Sequence, residues 1–100
     1  LDAEKLLDAR YYDDPLAVVA DFRQAGYQIL ALEQSASSVN LRDFNLTQPA
    51  LLILGEEVHG IPPELLQTAD TTLEIPMHGQ KESFNVSVAT GICLYQLTNH

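Results

Sequence analysis

The spacing of apolar residues changes several times along the chain, and each change marks an element. Asp14-Pro15 joins a helix N-cap to a proline suited to the first helical position. Leu16, Val19, Phe22 and Arg23 follow at helical spacing and Gly26 supplies the stop, so the pattern predicts a helix ending at that glycine. Tyr27 to Leu32 reads as a strand. Glu33 to Gln48, rich in Ser and Asn, predicts a long connection with a short turn at Leu41–Phe44. Ala50-Leu51-Leu52-Ile53-Leu54 is an unbroken apolar run closed by Gly55, as in a strand covered on both faces. Pro62-Pro63-Glu64 opens a short helix to about Ala69, and Thr71 to Ile75 forms another strand. From Phe84 to Leu97, residues Val86, Ala89, Ile92, Cys93 and Gln96 fall on successive turns of a C-terminal helix with one apolar face. Strands alternating with helices predict an α/β fold: a mostly parallel sheet with flanking helices and right-handed crossovers, in one domain spanning residues 1–100.

Composition narrows the picture in three ways. With 46% hydrophobic residues the chain supports a packed core, yet 100 residues bury only roughly 60–65% of the unfolded surface, so a partner subunit would add needed burial. No apolar run approaches the roughly 20 residues of a membrane span, and LDAEKLLDAR lacks the basic start and apolar stretch of a signal peptide. Cys93 is the single cysteine, which excludes an internal disulfide or cysteine zinc site and suits a reducing, cytoplasmic location. Five basic residues face fourteen acidic ones, and the five (Lys5, Arg10, Arg23, Arg42 and Lys81) are scattered singly. That charge balance, −9 in all, argues against a self-sufficient nucleic-acid binder, because phosphate contacts supply much of the affinity in such proteins.

Candidate chemistry lies in two loops that directly follow strands, where α/β sheets place ligands. Gly55-Glu56-Glu57-Val58-His59-Gly60 has two glycines that allow tight turns and close backbone approach. It lacks the Lys-Ser/Thr pair of a phosphate loop, and its adjacent carboxylates would repel an anion. An ordinary turn with solvated acids and a site for a polar hydroxyl-bearing ligand or a cation both fit it. The second loop, Ile75 to Asn85, runs from a strand end into a helix headed by Ser83 and Asn85. Both residues suit helix capping, but only one cap is needed, and Pro76, Met77 and Gly79 are unusual in a plain connection. Glu57, His59 and His78 lack the spacing of a zinc protease, and Ser83 and Ser87 lack a nucleophile elbow, so neither a metal site nor a serine hydrolase is expected.

Taken together, the two loops resemble a known signature. Leu52 to Pro62 (LILGEEVHGIP) is similar to the second motif of the SpoU/TrmH branch of SPOUT RNA methyltransferases, and Ile75 to Ala89 (IPMHGQKESFNVSVA) to its third. The resemblance extends from about Tyr11 to the C-terminus. It implies a sheet with a C-terminal trefoil knot, a homodimer, and transfer of a methyl group from S-adenosyl-L-methionine to a ribose 2′-hydroxyl of tRNA or rRNA. It also implies that Leu54, Gly55, Glu57, Ile75, Met77, Ser83 and Phe84 bind the cofactor, and that Asn85, Ser83 and Glu57 stand at the catalytic centre. Phe84 occupies a position usually held by Leu. Leu94, Tyr95 and Leu97 are candidates for a dimer contact or for core packing.

One part of the family pattern is missing. The first motif, with its Asn and Arg, has no counterpart here, because Arg10 and Arg23 stand in unrelated contexts and Leu1–Arg10 is more like the region after that motif. The expectation is therefore an N-terminally shortened domain without its usual first strand and helix. A fragment of a full enzyme, a natural short form and a chain completed by a partner all fit. The alternative function is a non-catalytic module that binds S-adenosylmethionine or mediates dimerisation.

Overall fold

The computed structural model describes residues 4–8, 11–55 and 59–75. Five strands form one parallel sheet: β1 (Glu4–Asp8), β2 (Gln28–Leu32), β3 (Val39–Asn40), β4 (Ala50–Leu54) and β5 (Thr71–Glu74). Their order across the sheet is β1-β4-β2-β5-β3. The α/β class and the parallel sheet therefore match the sequence pattern; the C-terminal segment, where a knot and the helix from Phe84 to Leu97 are expected, lies outside the described residues.

Each predicted element in the described region is present, with small shifts that have physical causes. Helix α1 (Pro15–Gln24) begins where Asp14 accepts a hydrogen bond from the Ala17 N–H at 3.2 Å. It ends in a Schellman arrangement: the Gly26 N–H donates to the Arg23 carbonyl and the Tyr27 N–H to the Phe22 carbonyl, both at 3.0 Å. Gly26 has φ 96°, which explains why glycine stands there. The Phe22 and Tyr27 rings meet edge to face at 4.9 Å, sealing the turn with the apolar contact that such motifs favour. The buried side of α1 runs through Val18, Val19 and Phe22, whereas Leu16 is 43% exposed. Helix α2 (Pro63–Leu66) is shorter than the pattern suggested. The chain tightens after Leu66 as the Thr68 and Ala69 N–H groups bond three residues back and the Thr68 hydroxyl donates to the Leu65 carbonyl.

Two strands escape the sequence pattern. β1 lies in the acidic N-terminal stretch, and β3 is a two-residue strand just before a 3-10 turn at Leu41–Asp43. Both are edge strands, held by parallel pairing to β4 and β5 respectively, so neither needs a long apolar run.

Alternation along β2 and β4 divides the core into two layers. Ile29, Ala31, Leu51 and Ile53 join Leu7, Val19, Ile61 and Leu65 on the face covered by α1 and α2. Leu30, Leu52, Leu54 and Leu73 join Leu41 on the other face, where Phe44, Leu46, Leu32 and Ile75 pack against them. All five residues of β4 are buried, as its unbroken apolar sequence requires.

A polar clasp fixes the start of β5. The Asp70 carboxylate accepts from the Ile29 N–H at 2.7 Å and from Arg23 Nη1 at 2.9 Å, while the Asp70 N–H donates to the Ile29 carbonyl at 2.7 Å. Arg23 also donates to the Thr68 carbonyl. Partial burial pushes the Asp70 pKa up, but the Ile29 N–H and Arg23 more than offset it and hold the group below its ordinary 3.8. A depressed carboxylate stabilises the fold above its unfolded pKa and loses that contribution as pH falls through the folded value. The Arg23 and Asp70 side chains are 47% and 41% exposed, so the ion pair adds little and the backbone hydrogen bond dominates. Asp70→Ala is expected to cost about 1 kcal/mol at neutral pH, or about 4–8 °C in Tm, and the difference from wild type should shrink below about pH 4. Thermal melts across pH check this; a gap that widens in acid would contradict it.

Candidate active site

The carboxyl edge of the sheet gathers the described parts of both candidate loops. Leu32 is in register with Leu54 on one side and with Leu73 on the other. Strands β4 and β5 thus flank β2 and end at the same edge, about 10 Å apart at two strand spacings. This is where ligands bind in open α/β sheets. Beneath the edge, Leu32, Leu54, Leu73 and Ile75 share one apolar cluster, with Leu54 and Leu73 buried and Leu32 and Ile75 half-buried.

Three described residues shape the first loop. Gly55 lies under the returning chain: a Cβ there would sit 2.5 Å from the Gly60 carbonyl carbon and from the Ile61 nitrogen. These are backbone atoms, so nothing yields, and only glycine fits. Gly60 has φ 71°, the left-handed region that glycine occupies without strain. From β2, Glu33 reaches across and accepts a hydrogen bond from the Ile61 N–H at 2.8 Å through Oε1. The Glu33 N–H in turn donates to the Leu73 carbonyl at 2.9 Å, which fixes it beside β5. Next to it, Ser38 bonds the Glu74 carboxylate and the Ser35 carbonyl, pinning the loop after β2 to the end of β5.

Of the residues singled out from the sequence, Leu54, Gly55 and Ile75 are brought together at this edge. Glu57, Met77, Ser83, Phe84 and Asn85 lie outside the described residues. Sequence reasoning passed over Glu33 as part of a connection. The available signal was its position, since it is the first polar residue after β2 and therefore stands at the ligand-bearing edge.

An open groove runs along α1 beside the segment that follows α2. Leu16, Val19, Ala20, Gln67 and Ala69 line it, with the Arg23–Asp70 clasp on its rim. Among the described residues, no three His, Cys, Asp or Glu side chains come together as a metal site would require, and no helix is long and apolar enough to cross a membrane.

At the carboxyl edge the half-buried side chains of Leu32 and Ile75 lie against the buried Leu54 and Leu73, an apolar floor at the strand ends. The comparisons with known proteins agree on the class. The model of the SpoU rRNA Methylase family matches residues 1–95, and the chain belongs to that family. It is 44% identical over 84 residues to the tRNA (guanosine(18)-2′-O)-methyltransferase of Aquifex aeolicus, covering 84% of this chain and 40% of that protein. The crystal structure of the A. aeolicus TrmH/SpoU tRNA modifying enzyme superposes with a TM-score of 0.77 over 85% of this chain and 43% of that one, at 44% identity. An AdoMet-bound rRNA methyltransferase from Sinorhizobium meliloti superposes with a TM-score of 0.70 at 32% identity, over 80% of this chain and 31% of that one. The chain spans less than half the length of the curated relatives it matches.

Proposed function

We propose that this chain is the cofactor-binding part of an S-adenosyl-L-methionine-dependent RNA ribose 2′-O-methyltransferase acting on tRNA or rRNA. The observation that carries the reading is the shared edge of Leu54 and Ile75, at strand ends on either side of β2 and in one apolar cluster. Family membership and the adenosylmethionine-bound relative support the choice of cofactor.

When bound, S-adenosylmethionine supplies an electrophilic methyl group on a sulfonium. The protein's task is then mainly to hold an acceptor oxygen in line, so positioning accounts for most of the acceleration. Leu54 and Ile75 present apolar surface and backbone groups to the adenosyl moiety, and Gly55 lets the loop close beside it. In this reading Glu57, Met77, Ser83 and Phe84 complete the pocket, Asn85 orients the acceptor hydroxyl, and Ser83 and Glu57 assist at the reacting centre. A C-terminal trefoil knot, a homodimer using Leu94, Tyr95 and Leu97, and a cytoplasmic location belong to the same proposal. The acidic composition fits an RNA enzyme only if basic groups come from a partner or from sequence beyond these residues.

Calorimetry with S-adenosylmethionine and S-adenosylhomocysteine tests the pocket, and methylation of tRNA and rRNA by the same chain tests transfer. Binding is expected for both adenosyl compounds; absence of binding overturns the reading. Asn85→Ala is expected to reduce methyl transfer about tenfold more than it reduces cofactor affinity, in single-turnover assays beside calorimetry. Equal loss of both would make Asn85 a helix cap.

A further inference from the structure

Glu33 belongs to neither motif loop, yet it holds the first of them in place. It stands at the end of β2, between the strands that launch the two loops, and its backbone is tied to Leu73 of β5 at 2.9 Å. Its Oε1 accepts from the Ile61 N–H at 2.8 Å, and the same oxygen would lie 2.7 Å from a Cβ at Gly60. The carboxylate therefore presses on the backbone of Gly60-Ile61, the stretch that itself closes over Gly55. Two close approaches form one stack: Glu33 on Gly60-Ile61, and Gly60-Ile61 on Gly55. Gly55 admits no Cβ beneath the returning backbone, and Gly60 holds a left-handed φ of 71° that favours glycine.

From this stack we infer that Glu33 is a positioning residue for the adenosyl site, acting by holding the Gly60-Ile61 backbone down on Gly55 at the end of β4. The inference rests on the proposed cofactor reading and deepens it. Backbone already held at Gly55 and at Gly60-Ile61 needs no ordering at those points when a ligand arrives, so binding costs less. A loop released at Ile61 must be ordered by the ligand itself, which lowers affinity while leaving the sheet beneath intact. The requirement is an acceptor oxygen at that point. A glutamine amide retains such an oxygen; an alanine has none.

The test compares wild type, Glu33→Gln and Glu33→Ala by calorimetry with S-adenosylhomocysteine, with amide exchange at Ile61 followed by NMR. Glu33→Ala is expected to weaken binding about tenfold or more and to speed exchange at the Ile61 N–H. Glu33→Gln is expected to bind within about threefold of wild type with Ile61 still protected. Wild-type affinity in Glu33→Ala overturns the inference, as does an equal loss in both variants. A wild-type chain that binds no adenosyl compound removes the cofactor reading and this inference with it, whereas normal wild-type binding with an indifferent Glu33→Ala removes the inference alone.

Discussion

Gly55→Ala is expected to weaken cofactor binding at least about tenfold and to destabilise the domain by about 2–3 kcal/mol, as overpacking against fixed atoms does. The added methyl would sit 2.5 Å from both the Gly60 carbonyl carbon and the Ile61 nitrogen, well inside van der Waals contact. Relief requires the returning chain to lift. That movement would stretch the Ile61-to-Glu33 hydrogen bond and withdraw the loop from the edge it shares with Ile75. Melting and calorimetry on the one variant separate the two effects. The expected outcome is a Tm lower by about 10–20 °C with an intact far-UV spectrum, and an affinity for S-adenosylhomocysteine reduced at least about tenfold. A variant with wild-type stability and affinity would mean that the loop does not close over Gly55.

The second large effect belongs to the core. Ile53 is fully buried on the helix-covered face, in register with Leu7 of β1 and Ala31 of β2, so its side chain touches both neighbouring strands' layers. Ile53→Ala is expected to cost about 2–5 kcal/mol and Ile53→Val about 0.5–1.5 kcal/mol, because transfer and cavity costs add. For a domain with a total stability of order 5–15 kcal/mol, the alanine variant stands near the threshold of folding. Urea titrations should show the midpoint falling with little change in slope. A loss below about 1 kcal/mol for Ile53→Ala would place that residue outside the core.

Much of the fold was legible in the sequence because its strongest signals are local. Asp14-Pro15 and Gly26 frame α1 through capping chemistry that depends on a few adjacent residues. The run Ala50–Leu54 is an interior strand buried at all five positions, and its apolar continuity follows from that placement. β1 and β3 were not legible. An edge strand gains its identity from the neighbour it pairs with, and neither Glu4–Asp8 nor Val39–Asn40 has a pattern that survives without β4 or β5. The same division holds at the site. Gly55 and Ile75 could be singled out because strand ends and glycines are visible in sequence. Glu33 also follows a strand end, but its contact was not legible, because its partner Ile61 lies 28 residues away and only the sheet order brings them together. Likewise Leu16 shares the helical spacing of the core residues, but α1 is rotated so that Val18 packs inward and Leu16 borders the groove.

The central claim is that the turns after Leu54 and after Ile75 form one adenosyl-binding edge. Amide chemical shifts measured during titration with S-adenosylhomocysteine test it most directly. The predicted result is a single saturable set of shifts that includes Gly55, Ile61 and Ile75 and spares the groove beside the Arg23–Asp70 clasp. Shifts confined to that groove, or shifts at Gly55 that saturate independently of those at Ile75, would contradict it.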